Sequence, residues 1–368
     1  MKKFKVLHIF SSYTIGGAEK MTVAIARDLN NLSNDFESLI GAPKDSYIYK
    51  QSLKENLKVY DFICRGSFTP TGVFKLFNII KKEKIDILHI HQGKLYWTGL
   101  LMKLFFKKLK VVLHRRQDTR HKWYARLHYK LADMTLTVSQ MVLNNLIKYE
   151  HAPEKKLKVL YNGFDFETFA QDTNCNDLIE QYNLKNKIVI GTVGAIVSLD
   201  AKGQKYLIEA VSKLRNKYNN LAVLIVGSGP GKTDLENYAK QFNVEDIVYF
   251  VGQQSNVAKY VNAMDIFCLL SCDTEGFGNV NVEAQYLAKP VITTNIGGIP
   301  ETVIKDKTAI IIPPRNVDEL IVALTKLIEN KDYATNMGKE GKSFVEQSFT
   351  KQTMVNNLTK IYYGLLEN

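Results

Sequence analysis

The chain has 368 residues, of which 45% are apolar and 23% charged, a balance typical of a globular protein rather than a disordered one. Two domains are expected, because a single core rarely extends over so many residues. Residues 1–170 hold 29 Lys and Arg against 15 Asp and Glu, whereas the remainder holds 20 against 22. This charge step favours two domains with different partners, and for the basic half a nucleic acid, an anionic membrane or an anionic substrate.

The sequence also indicates a compartment. No apolar run reaches the 18 or so residues of a membrane span. The N-terminal apolar run is about five residues long and contains His8, which favours a first strand over a signal peptide. Four cysteines without a CxxC pair favour free thiols in a reducing compartment. The sequence therefore predicts a cytosolic protein.

The first half repeats a short apolar run, a polar or glycine-bearing turn and a helical stretch. The predicted strands are KVLHIF, FESLIGAP, LKVYDF, IDILHIH, KVVLHRR, MTLTVS and LKVLYNG. Helical patterns lie between several of them, as in KMTVAIARDLNNL, VFKLFNIIKKEK and QMVLNNLIKYE. Continuous apolar strands that alternate with helices predict a buried parallel sheet.

The pattern then restarts, with predicted strands KIVIGTVGAI, LAVLIVGSGP, IVYFVG, DIFCLL, PVITTN and TAIIIPP. The polar stretch before it marks a linker. We expect an N-terminal domain at 1–165, a linker at 166–187, a C-terminal domain at 188–345, and a helix at 346–368 that returns to the N-terminal domain. The predicted fold class is α/β, with two Rossmann-like domains facing a central cleft.

Three glycine turns follow predicted strands, where ligands of such sheets bind. TIGGAEK contains Gly16 and Gly17, GSGPGKTD contains Gly229, and EGFGN contains Gly278. Each turn is suited to aim backbone N–H groups and a helix N-terminus at an anion. GSGPGKT matches neither the Walker A loop nor G-x-G-x-x-G. A single such turn is weak evidence, but three of them favour a phosphate-bearing ligand.

Two carboxylates, Glu275 and Glu283, flank the third turn, eight positions apart around a helix expected to begin near Asn279. An ionised carboxylate only accepts hydrogen bonds, so these groups suit hydroxyls on either side of a phosphate site. A nucleotide sugar carries hydroxyls on both sides of its diphosphate. The alternative is one capping and one solvated glutamate.

Glu275 and Glu283 reproduce the E-x7-E motif, and the chain resembles the GT4 family of retaining glycosyltransferases, enzymes of GT-B fold. The resemblance covers nearly the whole chain, in the order GGAEK, IDILHIH, VVLHRRQD, ADMTLTVS, VLYNGFD, KGQKYLIEA, IVGSGP and GGIPE. It implies a nucleotide-sugar donor on the C-terminal domain, an acceptor on the N-terminal domain and no essential metal. The sequence contains no D-x-D pair.

The resemblance also implies residue roles. Lys202 would neutralise the departing diphosphate, Glu275 would hold hydroxyls of the donor sugar, and His114 would lie near that sugar. Glu283 would hold the ribose. The donor-binding set implied by the motifs is Gly16, Gly17, Gly229, Phe277, Gly278, Asn279 and Glu283.

The chain departs from the family at Ala195, where an arginine usually follows the glycine of the first C-terminal strand. Arg115, Arg116 or Lys205 are candidates to replace the missing cation. The departure leaves open a non-catalytic nucleotide-sugar-binding partner subunit. A nucleotide-sugar epimerase of the same fold is the other alternative.

Two further features have competing interpretations. His89 and His91 alternate along a strand and share one face; core packing is favoured over metal binding, because no third ligand follows at usable spacing. The segment 94–110 combines an apolar stripe, Trp97, Leu100, Leu101, Leu104 and Phe105, with lysines 103, 107, 108 and 110. It suits an interfacial membrane helix or an ordinary helix covering the sheet. Residues 114–130 add basic and aromatic character.

The resemblance implies a retaining, metal-independent enzyme, and with the observations above it leads us to expect a hexosyltransferase-type activity without a cofactor. Its expected donor is a nucleotide-diphosphate sugar and its acceptor a glycan or a lipid-linked molecule. Its expected setting is bacterial cell-surface polysaccharide synthesis, such as lipopolysaccharide or capsule, at the cytosolic face of the membrane. Nucleic acid is not expected, since no reader motif accompanies the basic charge.

Overall fold

The computed structural model describes residues 3–14, 16–66, 68–117 and 125–367. The chain divides into two compact units. Unit 1 comprises Met1–Phe164 together with Lys351–Asn368, and unit 2 comprises Asp165–Thr350. Each unit is built around one parallel sheet.

The sheet of unit 1 has seven strands in the order β3-β2-β1-β4-β5-β6-β7. All of its strand pairs are parallel. The strands are β1 (Phe4–Ile9), β2 (Phe36–Ala42), β3 (Lys58–Asp61), β4 (Ile87–Ile90), β5 (Lys110–Arg115), β6 (Met134–Thr137) and β7 (Leu157–Val159). The helices between them are α1 (Gly17–Leu32), α2 (Tyr47–Lys54), α3 (Pro70–Glu83), α4 (Tyr96–Phe105), α5 (Ala125–Leu131) and α6 (Gln140–Glu150).

Unit 2 has a six-stranded parallel sheet in the order β10-β9-β8-β11-β12-β13. Its helices α7 (Phe166–Phe169) and α8 (Asn176–Gln181) precede the sheet. The strands are β8 (Ile188–Val193), β9 (Leu221–Val226), β10 (Val248–Gly252), β11 (Ile266–Leu269), β12 (Val291–Thr294) and β13 (Ala309–Ile312). The remaining helices are α9 (Gln204–Leu214), α10 (Lys232–Gln241), α11 (Val257–Asn262), α12 (Asn279–Tyr286), α13 (Val317–Glu329) and α14 (Lys331–Ser348).

The segment expected to be a linker, 166–187, packs as part of unit 2. Phe166 stacks on Tyr286 with ring centroids 4.3 Å apart. Leu178 and Leu184 are buried. Leu184 belongs to one cluster of the unit 2 core, and Ile179 and Tyr182 pack against that cluster.

The last helix, α15 (Lys351–Leu366), belongs to unit 1. It starts later than the expected 346–368, because α14 continues to Ser348. Apolar residues of α15 pack against strand residues of one sheet face. That cluster comprises Val6, Ile25, Leu29, Phe36, Ile87, Val112, Leu136, Leu160, Met354, Val355, Leu358, Tyr362 and Leu365. The C-terminal residues therefore complete the core of the N-terminal unit.

We expect Leu358→Ala to destabilise unit 1 by about 2–5 kcal/mol, because Leu358 is fully buried and its truncation leaves a cavity. Tryptophan fluorescence during urea unfolding reports on the N-terminal part of the chain, since Trp97 of unit 1 and Trp123 are its two tryptophans and both precede unit 2 in the sequence. Asn357→Ala, one position earlier on the exposed face, is the matched control. Equal midpoints for the two variants would contradict the assignment of α15 to this core.

Candidate functional site

The loops after β8 and β11 bring two predicted catalytic residues of unit 2 together. The Lys202 Nζ atom lies 2.6 Å from Oε2 of Glu275. The Ser271 hydroxyl donates to the same carboxylate oxygen at 3.4 Å. The Lys202 and Glu275 side chains are 25% and 21% exposed. A ligand at this edge of the sheet therefore meets an ammonium and a carboxylate that are already paired.

Backbone contacts without room for a side chain hold these loops. Gly203 has φ +71°, and a Cβ on it would lie 2.0 Å from the Leu270 carbonyl oxygen. Gly297 has φ +61°, and a Cβ there would lie 1.9 Å from the Glu275 carbonyl oxygen. That oxygen accepts a hydrogen bond from the Gly298 N–H at 2.9 Å. Both positions require glycine, since each combines a left-handed backbone with a close approach.

Helix α12 begins at Asn279, as the sequence predicted. Gly278 precedes it with φ +95°, and Phe277 is buried against Phe349. The buried Asn281 amide donates to the hydroxyls of Thr293 and Thr302, which ties the helix to β12. Glu283 is half-buried one turn along the helix. Glu275 thus lies four residues before the first residue of α12, and Glu283 lies within the helix.

The Gly227–Gly231 turn has a packing role. A Cβ on Gly229 would lie 2.3 Å from the carbonyl oxygen of Ile196. The Gly231 N–H donates to that oxygen at 2.9 Å, and the Ile196 N–H donates to the Ser228 carbonyl at 3.0 Å. These bonds join the turn to the loop that follows β8. The donor-binding role of Gly229 stays a prediction.

Arg315 was missed by the sequence analysis. It bonds to the carboxylates of Asp200 and Asp273 at 2.7 and 2.5 Å and to the Cys272 carbonyl at 3.0 Å. Its guanidinium thereby joins the loop after β8 to the loop after β11 through hydrogen bonds to both. No sequence signal marks Arg315, which lies 42 residues after Asp273 in a left-handed turn.

Lys205, a candidate for the missing cation, bonds to Asp200 at 2.9 Å. Although burial raises the pKa of Asp200, hydrogen bonds from Tyr206, Lys205 and Arg315 hold it at about 2. Asp200 is therefore ionised at neutral pH and forms an ion pair with Lys205. Ala195 itself is exposed.

In unit 1, the predicted donor-binding glycines begin α1. Gly16 is its N-cap residue, in extended backbone, and Gly17 is its first residue. Ile15, within the same turn, lies outside the described residues. The Glu19 carboxylate accepts a hydrogen bond from the Thr14 hydroxyl at 2.6 Å and is buried in the first helical turn. Binding of the donor by Gly16 and Gly17 stays a prediction.

His114 lies in a group of four buried histidines on the sheet face that α15 covers. The group also contains His8 from β1, His89 from β4, and His91 just beyond β4. The sequence analysis missed His8, which register places opposite His89. Burial lowers the pKa of every member, to about 3 for His8, and the nearby Arg116 guanidinium lowers each further. All four are therefore neutral at pH 7.

Three of these histidines, His8, His89 and His91, place ring nitrogens within 4.8 Å of one another. Three imidazoles are a donor set that can bind Zn²⁺, but the surroundings of this trio oppose a cation. The Arg116 guanidinium lies 3.2 Å from Nδ1 of His91, and the trio contains no carboxylate to offset a buried charge. We therefore treat the group as a hydrogen-bonded network. The basic and aromatic segment predicted nearby includes residues 118–124, which lie outside the described residues.

Two family models match the chain, Glycosyltransferase Family 4 over residues 15–168 and Glycosyl transferases group 1 over residues 176–344. The chain is 30% identical to the capsular polysaccharide biosynthesis glycosyltransferase CapM of Staphylococcus aureus, over 63% of this chain and 62% of CapM. That match spans less than two thirds of CapM. It is 25% identical to the UDP-Gal:alpha-D-GlcNAc-diphosphoundecaprenol alpha-1,3-galactosyltransferase of Escherichia coli, over 100% of this chain and 98% of that protein.

Solved structures show the same fold. A glycosyltransferase from Rickettsia africae ESF-5 superimposes with a TM-score of 0.90 at 22% identity, covering 100% of both chains. HepE of Anabaena, crystallised with UDP, gives 0.86 at 20% identity and covers 98% of this chain and 100% of its own. These likenesses confirm the predicted GT-B fold.

We expect the free energy of unfolding of unit 1 to fall as pH drops below about 6.5. Unfolded histidines take up protons near that pH, whereas the four buried ones stay neutral. The unfolded state then binds more protons, which costs about 1.4 kcal/mol of stability per pH unit for each histidine. Above pH 6.5 this contribution is fully present.

Urea unfolding followed by tryptophan fluorescence between pH 5 and 8 measures this slope. His8→Gln should reduce it by the share of one histidine. His151→Asn, at an exposed position after α6, is the control and should leave it unchanged. A His8→Gln variant with the slope of the parent protein would show that His8 is protonated in the folded state.

Proposed function

Because the chain belongs to the GT4 family of glycosyltransferases, we propose that it transfers a sugar from a nucleotide-diphosphate donor to a glycan or lipid-linked acceptor. Names of similar proteins support the donor and acceptor classes. The Escherichia coli relative is named for UDP-Gal and a diphosphoundecaprenol acceptor, and HepE was also crystallised with UDP-glucose. Together with CapM, they favour bacterial cell-surface polysaccharide assembly as the setting.

The observation that carries the proposal is the Lys202–Glu275 pair, in which Glu275 lies four residues before the start of α12. In the proposed complex, the diphosphate takes the Lys202 ammonium and the first-turn amides of the helix. Glu275 exchanges its ammonium partner for hydroxyls of the donor sugar. Glu283 accepts from the ribose hydroxyls, since a carboxylate offers only acceptor atoms.

We propose transfer with retention at the anomeric carbon and without a metal ion. The glycosidic C–O bond to the diphosphate breaks, and the acceptor oxygen attacks from the same face. The departing phosphate oxygen takes the acceptor proton. Lys202 stabilises the charge that grows on the diphosphate, a contribution that is largest in the transition state.

Lys202→Gln should lower kcat by about 100-fold or more, because one charge that stabilises the leaving diphosphate is removed. Affinity for the nucleotide part of the donor should fall less. It is read from the thermal shift with whichever of UDP, GDP, dTDP, CMP and ADP stabilises the parent protein. Transfer of a radiolabelled sugar to an undecaprenyl-diphosphate acceptor measures kcat. Lys213→Gln is the control, since this exposed lysine pairs with Asp318 far from the loop.

Two further readouts test the finer parts of the proposal. The product's anomeric configuration, read by NMR, should match that of the donor. Activity should persist after treatment with EDTA. Unaltered turnover in Lys202→Gln would remove the leaving-group role, and donor binding without transfer to any acceptor would favour the partner-subunit alternative motivated by Ala195.

We further propose that unit 1 contacts an anionic membrane surface. No described helix is long and apolar enough to span a membrane. In α4, Leu100 is buried and Trp97 and Leu101 pack on the core, so the expected stripe is largely a core face. Its end differs, because Leu104 is 74% and Phe105 59% exposed.

Lysines precede and follow that end of α4 in the sequence. Lys107 and Lys108 follow it and are exposed. Lys103 instead bonds to the Asp133 carboxylate at 2.7 Å. A cavity of about 550 Å³ adjoins Asp133, and its lining includes four lysines, Lys110, Lys156, Lys158 and Lys360. Exposed apolar side chains beside lysines are typical of surfaces that bind anionic lipid.

Leu104→Ser/Phe105→Ser should weaken binding to phosphatidylglycerol vesicles by roughly tenfold, because two large apolar side chains leave the lipid contact. Sedimentation with vesicles measures the partition. Val322→Ser, which alters an apolar residue of unit 2 that is 64% exposed, is the control. Equal sedimentation of all three proteins would remove the membrane contact from the proposal without affecting transfer to soluble acceptors.

A further inference from the structure

The four buried histidines form two hydrogen-bonded chains on the face covered by α15. One chain runs from Arg116 through His91 and His8 to Ser38, with atoms 3.2, 2.9 and 3.4 Å apart. The other joins Tyr362, His89 and His114. The Tyr362 hydroxyl lies 2.7 Å from Nδ1 of His89, and Nε2 of His89 lies 3.2 Å from Nδ1 of His114.

The direction of the first chain follows from its first member. A guanidinium only donates, so Nδ1 of His91 accepts. A neutral imidazole has one N–H, so His91 carries its proton on Nε2 and donates to Nδ1 of His8. His8 then carries its proton on Nε2 and donates to the Ser38 hydroxyl.

The direction of the second chain follows from the polar atoms that each choice leaves unpaired. Nε2 of His114 is buried and has no hydrogen-bond partner among the described residues. If Tyr362 donates to His89, then His89 donates to His114, and the unpaired donor is the Nε2–H of His114. If the chain runs the other way, the Tyr362 O–H and the Nε2 lone pair of His114 are both unpaired.

The first direction costs less, because each buried polar group left without a partner costs about 1–3 kcal/mol. The spare lone pair of a hydroxyl oxygen that has already donated its proton matters less than an unpaired O–H. In the second chain, Tyr362 therefore donates to His89, and His89 donates to His114.

We propose that Tyr362 is a positioning residue that acts through His89 and holds His114 in the tautomer with its proton on Nε2. The Nε2–H of His114, which is buried in this structure, then suits contact with an acceptor oxygen of a substrate and does not suit another donor. The identity of that oxygen, a hydroxyl of a sugar substrate, rests on the proposed function. The tautomer itself rests only on unit 1.

The effect of Tyr362→Phe follows from the same reasoning. Without the hydroxyl, either direction leaves one donor and one acceptor unpaired, on Nδ1 of His89 and Nε2 of His114. The energetic preference disappears, so both tautomers of His114 become populated. Tyr363→Phe is the matched control, because its hydroxyl bonds to Asp35 and does not reach the histidines.

Nitrogen-15 NMR of the full-length protein labelled at histidine reads each ring nitrogen as protonated or unprotonated. The chain has seven histidines, and His114→Gln assigns the signals of interest. We expect a protonated Nε2 and an unprotonated Nδ1 for His114 in the parent protein and in Tyr363→Phe. Tyr362→Phe should give averaged or doubled signals.

An unprotonated Nε2 of His114 in the parent protein would overturn the proposal, and this measurement needs no variant of Tyr362. Unchanged His114 signals in Tyr362→Phe would also overturn it, by showing that the tyrosine does not select the tautomer.

Measurements of activity test the proposed contact between His114 and a substrate oxygen. With both tautomers equally populated, kcat of Tyr362→Phe should fall about twofold, since half of the molecules keep the competent state. His114→Gln should lower kcat further. If the NMR result is as expected and His114→Gln retains full activity, the tautomer assignment stands, and the contact with a substrate oxygen is wrong.

Discussion

The ion pair between Lys202 and Glu275 depends on backbone contacts that admit no side chain. Gly203 lies against the Leu270 carbonyl and Gly297 against the Glu275 carbonyl, each at a distance that a Cβ would prevent. These contacts fix the two loops before any side-chain interaction is counted. The pair is about one quarter exposed, and pairs of that kind contribute little to stability. In the proposed complex, a ligand would therefore replace one partner of the pair without unfolding the loop that carries the other.

Unit 1 handles polar groups in the opposite way. Its histidines are buried, and Arg116 approaches them closely, so they are neutral and linked by directional hydrogen bonds. The high positive charge of residues 1–170 lies mainly on surface lysines, outside this network. A neutral imidazole offers a directional hydrogen-bond donor and acceptor but no net charge. The two units thus offer different chemistry, an exchangeable ion pair in unit 2 and a fixed hydrogen-bond donor in unit 1.

The sequence predicted the parallel sheets, the start of α12 at Asn279 and the glycine turns, because these depend on local patterns. It did not predict partners that only tertiary structure supplies. His8 joins His89 through strand register, over 81 positions of sequence. Arg315 reaches Asp200 from 115 residues away. The apolar stripe of α4 was ambiguous, because the same period describes a core face and a membrane face, and only burial separates Leu100 from Leu104.

Ala195 occupies the position at which the resemblance implies an arginine, so in the proposed mechanism a larger share of the diphosphate charge would be stabilised by Lys202. Lys205 and Arg315 both bond to Asp200, whose pKa of about 2 keeps it ionised. Drawing either cation towards a diphosphate would leave that carboxylate without part of its compensation. Glu275 differs, because sugar hydroxyls can replace its ammonium partner. The N-terminus of α12 adds the equivalent of a partial positive charge of about half an elementary charge. Lys202 is therefore the cation that this loop arrangement can release to a leaving diphosphate at the smallest electrostatic cost.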